Sequence, residues 1–174
     1  MKLSAIVMCG LLVGALTGLA QNEENQAGAL IHQGNLAGAI AALDTAITRA
    51  PSARLYAARA DAYLRKGRMA QRDAMVAFDQ AIADATEAVS RDASQAGAVM
   101  TRALAHQAKG EHTAAVADFT AVLASNPAAA DALVGRSLSY KAIGNTNAAQ
   151  KDQQAVGEIN TRKGAELQQQ LGGN

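Results

Sequence analysis

Three stretches of this chain echo one another: Arg59-Ala60-Asp61-Ala62-Tyr63 ahead of Gly67, Arg102-Ala103-Leu104-Ala105-His106 ahead of Gly110, and Arg136-Ser137-Leu138-Ser139-Tyr140 ahead of Gly144. Gly110 and Gly144 are 34 residues apart, and Gly34 and Gly67 are 33 apart. A period of that size marks a helical solenoid, built from helix-turn-helix hairpins that cannot bury their apolar faces alone. Arrays of this kind are far more often binding surfaces than catalysts.

Working outward from the best copy, Val99, Arg102-Ala103 and His106 open a first helix that Gly110 breaks. Ala115, Val116, Phe119, Val122 and Leu123 form a second helix that ends before Pro127. Spacings of three and four place these apolar residues on one face of each helix. Asn126-Pro127 is a turn dipeptide, because the residue before proline resists the helical region. The composition agrees. The chain is 49% hydrophobic but only 3% aromatic, so alanine-lined helices are expected to pack closely around a core of few bulky rings.

These features resemble the tetratricopeptide repeat. Tyr56, Arg59-Ala60 and Tyr63 match that family's first helix, and Ala115, Phe119 and Pro127 match its second. Gly67, Gly110 and Gly144 stand at the hairpin turn. The resemblance implies an all-α, right-handed superhelical solenoid of about four repeats, over residues 21–52, 53–95, 96–129 and 130–163, with 164–174 as a cap or tail. The second copy is too long, because both Ala74-x-x-x-Phe78 and Ala81-x-x-x-Ala85 fit its second helix. One helix from Ala70 to Arg91, about two turns longer than usual, reconciles them. The last copy's second helix is rich in Gln, Lys and Asp, as a terminal repeat with a wet outer face requires.

Residues 1–20 are of different material. Lys2 precedes an uncharged, largely apolar run from Ala5 to Leu19, and Gly18-Leu19-Ala20 offers small residues before the polar Gln21-Asn22-Glu23-Glu24. This is the layout of a secretory signal peptide with cleavage after Ala20; the competing reading is a retained membrane anchor. Cleavage would remove Cys9, the only cysteine, and Lys2, leaving 15 basic against 15 acidic residues from the original 16 and 15. That balance suggests neither nucleic acid nor an anionic membrane as partner. A periplasmic or secreted location follows.

In the family, the first helices line a concave groove, and the resemblance implies partner-binding residues Leu64, Arg65, Met100, Leu104, Gln107, Val134, Leu138 and Lys141. An apolar strip flanked by charges suits an extended or helical peptide. The sub-family that clamps acidic chaperone tails uses Lys and Asn at places held here by Glu24, Gly28, Ala58, Gly97 and Thr101, so that ligand is disfavoured. Arg59, Arg102 and Arg136 are expected to be structural, with their stems on apolar surface and their heads reaching water or a carboxylate. His32, His106 and His112 have no helical metal-motif spacing, so neither metal nor cofactor is expected. No nucleophile elbow or phosphate loop occurs, and enzyme activity has no support. The expected function is a non-enzymatic protein-binding module, an adaptor or assembly factor of the bacterial periplasm. The alternatives are a self-associating structural protein of the envelope, or an accessory subunit of an envelope enzyme complex.

Overall fold

The computed structural model describes residues 18–19, 21–70 and 72–171, with side-chain surroundings up to residue 163. The expected signal segment and its cleavage site therefore lie almost wholly outside the described residues. Among those described, every regular element is an α-helix: α1 (residues 21–32), α2 (Leu36–Arg49), α3 (Ala53–Met69), α4 (Ala74–Arg91), α5 (Ala96–Ala108), α6 (His112–Ser125), α7 (Ala130–Ala142) and α8 (Thr146–Leu171). The helices pair as successive helix-turn-helix units, the all-α repeat solenoid read from the sequence. None is long and apolar enough to cross a membrane. The chain divides into two compact units, Met1–Thr101 and Arg102–Asn174, and α5 carries the boundary between them.

The turns follow from local chemistry. Gly34, Gly110 and Gly144 take positive φ values of 76°, 80° and 81°. Each ends a first helix in the left-handed conformation that glycine adopts without steric cost, and the next amide reaches back to a carbonyl of the last turn. Asn35 donates to the Leu30 carbonyl at 2.9 Å, Glu111 to His106 at 2.9 Å and Asn145 to Tyr140 at 2.8 Å. At the entries, Asn35 Oδ1 accepts from the Gly38 amide at 3.0 Å and Ser52 Oγ from the Leu55 amide at 3.3 Å. These bonds satisfy amides that a helix start leaves without partners.

The second hairpin departs from the expectation in two ways. Gly67 is not at its turn. It is buried inside α3, and a Cβ there would come within 2.5 Å of Phe78 Cε1, so its lack of a side chain lets the ring of α4 lie against the α3 backbone. α3 instead runs on to Met69, and α4 starts after Asp73, whose φ is 60°. Accordingly α4 begins at Ala74 rather than Ala70, and the extra length is shared. With 17 residues, α3 exceeds the 13 of α5 and α7 by four, and α4, with 18, exceeds the 14 of α2 and α6 by four. Four residues are about one helical turn, so each helix grows by one turn and keeps its face.

Alanine dominates the interior. In the N-terminal unit, Ala27, Ala39, Leu43, Ala46 and Leu55 form one buried cluster, and Ala60, Ala85, Ala88 and Ala98 form another, flanked by Tyr56 and Val89. In the C-terminal unit Phe119 is fully buried, and its ring lies against Gly135 of α7. The polar start of α1 is compensated by ion pairs, Glu23 with Arg49 and Glu24 with Arg54. The C-terminal residues from Gly164 continue α8 to Leu171 without a break, and residues 172–174 lie outside the described ones.

Candidate functional site

An arginine–aspartate clip recurs through the repeats. Arg59 donates to Asp84 through Nε and Nη2, both at 2.7 Å; Arg102 to Asp118 at 2.9 and 2.7 Å; and Arg136 to Asp152 at 2.9 and 2.7 Å. Each is a two-pronged pair from a first helix to its own second helix, the geometry that the planar guanidinium favours. Asp84, Asp118 and Asp152 are all buried. Hydrogen bonding to these carboxylates raises all three guanidinium pKa values above the ordinary value, against the lowering effect of burial. Asp84, Asp118 and Asp152 are 34 residues apart in succession, a signal present in the sequence beside the more visible arginines. Thus the three arginines are structural, and their charge is not available to a partner.

The remaining candidates divide between the two units. In the N-terminal unit Leu64 is only 2% exposed and is a core residue, not a groove residue. It stands five residues after Arg59, the place that Gln107 holds after Arg102. Gln107 shows what this place does: its Nε2 donates to the Gly135 carbonyl at 2.8 Å and to Ser139 Oγ at 2.9 Å. That amide ties α5 to α7 and is not free to meet a partner. Arg65 is exposed and bound to Asp61 at 2.7 Å, and Met100 is half-buried.

The C-terminal unit gathers the rest of the strip. Leu104 is half-buried on α5, while Val134, Leu138 and Lys141 are exposed along α7. Val134 and Leu138, one turn apart, wall a notch of about 140 Å³ with Ser137, Gln153 and Val156. Ser137 is held there by a hydrogen bond from its hydroxyl to the Ala149 carbonyl, 3.0 Å long. The notch thus exposes aliphatic side chains over a floor whose polar group is already satisfied, which suits an incoming apolar side chain.

Gln153 and Val156 were not among the residues expected at the site, yet the period points to them. Subtracting 34 from Leu138, Gln153 and Val156 gives Leu104, Phe119 and Val122. In that earlier copy α7 packs on the ring through Gly135, and Phe119 is fully buried. In the last copy glutamine takes the place of the phenylalanine, and Leu138 stays 54% exposed. The same logic explains Lys141. It shares the five-residue offset with Leu64 and Gln107, but among the described residues no first helix follows to cover it.

A second polar cluster sits at the α5–α6 turn. His106 Nδ1 lies 2.6 Å from Glu111 Oε2, and Lys109 Nζ lies 2.6 Å from Glu111 Oε1. Lys109 and then His106 hold the Glu111 carboxyl below the usual range. This cluster buttresses the turn. No group of three or more His, Cys, Asp or Glu among the described residues is placed to hold a metal ion.

No family model and no curated protein matches the chain. Solved structures do. A crystal structure of MamA superimposes with a TM-score of 0.74 at 18% identity, covering 90% of this chain and 86% of that one. A tetratricopeptide repeat protein from Parabacteroides merdae gives 0.69 at 22% identity, covering 83% of this chain and 54% of that one. The second TPR domain of human RPAP3, solved in complex with an HSP70 peptide, gives 0.63 at 26% identity over 71% of this chain and 97% of the domain. The fold is of the tetratricopeptide-repeat type.

Proposed function

We propose that this chain is a non-enzymatic protein-interaction module that captures a peptide or protein segment along α7, anchored on Val134 and Leu138. The observation that carries this reading is the α7–α8 notch, where two large aliphatic side chains stand exposed beside Val156 around a recess of about 140 Å³. An apolar recess lined by exposed aliphatic side chains is the form small apolar binding sites take, and a recess of this size admits one apolar side chain. Lys141, exposed one turn beyond Leu138 on α7, adds a point charge able to choose orientation. The RPAP3 domain of similar fold holds a peptide, which supports the same class of ligand here. The Lys and Asn clamp for an acidic tail is absent at Glu24, Gly28, Ala58, Gly97 and Thr101, so apolar anchoring takes the place of carboxylate capture.

The proposed setting is outside the cytoplasm, as an adaptor or assembly factor of a bacterial envelope, on the strength of Lys2, the apolar run to Leu19 and the small residues before Gln21. N-terminal sequencing of protein from the envelope fraction should find Gln21 first. A product that keeps Met1 in the membrane fraction would make it an anchored protein instead. For the binding surface, crosslinking in intact cells should capture a defined partner with the native chain and lose it with Leu138→Glu. Undiminished capture by that variant, folded, would move the surface off α7.

A further inference from the structure

The lengthened second hairpin creates a feature that the ordinary repeats lack. α3 runs ten residues past Arg59 to Met69, whereas α5 and α7 run six past Arg102 and Arg136. The α1–α2 hairpin beside it closes at Gly34 without any extension. The added turn of α3 therefore overhangs that shorter hairpin, and a recess of about 330 Å³ opens beneath it. Its apolar wall is Ile31, Leu36 and Met69, and its rim carries His32, Arg65 and Arg68. Met69 is 72% exposed, the most exposed large apolar side chain among those described. Nothing in the internal packing needs it there, because Gly67 and Phe78 already form the contact that closes the extension.

The charge is one-sided. No carboxylate lines the recess. Arg65 is bound to Asp61 at 2.7 Å, but the exposed Arg68 makes no hydrogen bond or ion pair within the described residues. Unpaired arginine beside exposed methionine combines an adaptable apolar contact with a donor set shaped for carboxylates.

We propose that this ledge is a second recognition site, for an acidic protein segment that inserts one bulky apolar side chain against Ile31, Leu36 and Met69 while its carboxylates meet Arg68 and Arg65. A concave recess walled by two hairpins is reached by a side chain on a narrow segment, whereas a bilayer meets convex surfaces, so protein is favoured over an anionic membrane. The site is independent of the α7 strip and does not rely on it.

Selection from a phage-displayed random peptide library on the purified chain tests the proposal. The expected winners carry a Leu, Phe or Trp flanked by Asp or Glu. When synthesised, they should bind at least about tenfold more weakly to Arg68→Glu and to Met69→Asp, and more weakly in high salt. Lys151→Glu, a charge reversal on α8, should bind them as the native chain does. Arg68→Gln and Met69→Ser repeat the test with milder changes, and circular dichroism confirms that each variant is folded. Three results would overturn it: winners with no acidic–apolar pattern, winners that bind all four ledge variants normally, or no winners at all. Sedimentation with phosphatidylglycerol vesicles that depends on Arg68 and Met69, with no peptide selected, would replace it with a membrane contact.

Discussion

Gly135 offers the sharpest test of how the C-terminal unit is packed. An ideal Cβ built there would lie 2.3 Å from Phe119 Cζ and 2.6 Å from Cε1. Ordinary carbon–carbon contact is about 3.5–4.0 Å, so Gly135→Ala drives the methyl more than about 1 Å into the ring. Phe119 is fully buried and cannot swing away. Either α6 and α7 separate or the ring leaves its rotamer, which costs at the upper end of the overpacking range, about 3 kcal/mol. Alanine returns about 1 kcal/mol of helix propensity, leaving a net loss of about 2 kcal/mol. The internal control is Gly157→Ala in α8, where the added methyl meets nothing within 4 Å. That variant should gain up to about 1 kcal/mol. Urea denaturation followed by circular dichroism should thus move the two midpoints in opposite directions. If Gly135→Ala were stabilised as Gly157→Ala is, the ring of Phe119 does not lie on the α7 backbone, and the packing order described above fails. Pairing Gly135→Ala with Phe119→Leu should relieve part of the clash, so the two changes should not add.

The other expectations follow from the same coordinates. Arg136→Met leaves the Asp152 carboxylate, 4% exposed, without its cation and should cost about 3 kcal/mol by urea denaturation, whereas Arg136→Met with Asp152→Leu should recover most of that loss. Ala81→Pro, at a fully buried position within α4, should cost about 3 kcal/mol or more in melting experiments; full stability would mean that α4 is broken there. Leu64→Glu and Leu138→Glu should separate core from surface: the first unfolds the N-terminal unit, while the second shifts stability by no more than about 0.5 kcal/mol yet abolishes partner capture.

Most of the architecture was legible because the period carries it. The three turn glycines with positive φ, the helix faces and the terminal polar helix are all set by residues close in sequence. Gly67 shows where that legibility ends. Its offset from Arg59 equals that of Gly110 from Arg102 and of Gly144 from Arg136, so spacing alone assigns it to a turn. What decides otherwise is Phe78, eleven residues later, whose ring occupies the space a side chain would need. Leu64 failed for a related reason. Leucine at Leu64 and at Leu138 looks alike in composition, but the phase relative to the repeat arginine differs, five residues against two. The five-residue place is buried at Leu64 and bonded to the neighbouring first helix at Gln107. Phase, not hydrophobicity, was the informative coordinate, and it also reached Gln153 and Val156.

The arginine–aspartate clips answer a difficulty that an alanine-rich core creates. Alanine faces bring helices close, but they interdigitate little, so neighbouring registers differ less in packing energy than they would with Leu or Phe ridges. A two-pronged ion pair has one geometry and is unforgiving of a shift along the helix. Its recurrence in three of the four helix pairs, each time from first helix to second, fits a register device better than a source of stability, since desolvation offsets much of the Coulombic gain of a buried pair. The Arg136→Met, Asp152→Leu double replacement distinguishes the two roles. A source of stability leaves a lasting deficit. A register device leaves stability near native while the urea transition broadens, because a chain with competing registers no longer unfolds in one step. The second hairpin fits the same view. Its extension adds one turn to each helix beyond the clip of Arg59 and Asp84, so a pinned register lets the tip grow while the phase of α3 against α4 is kept.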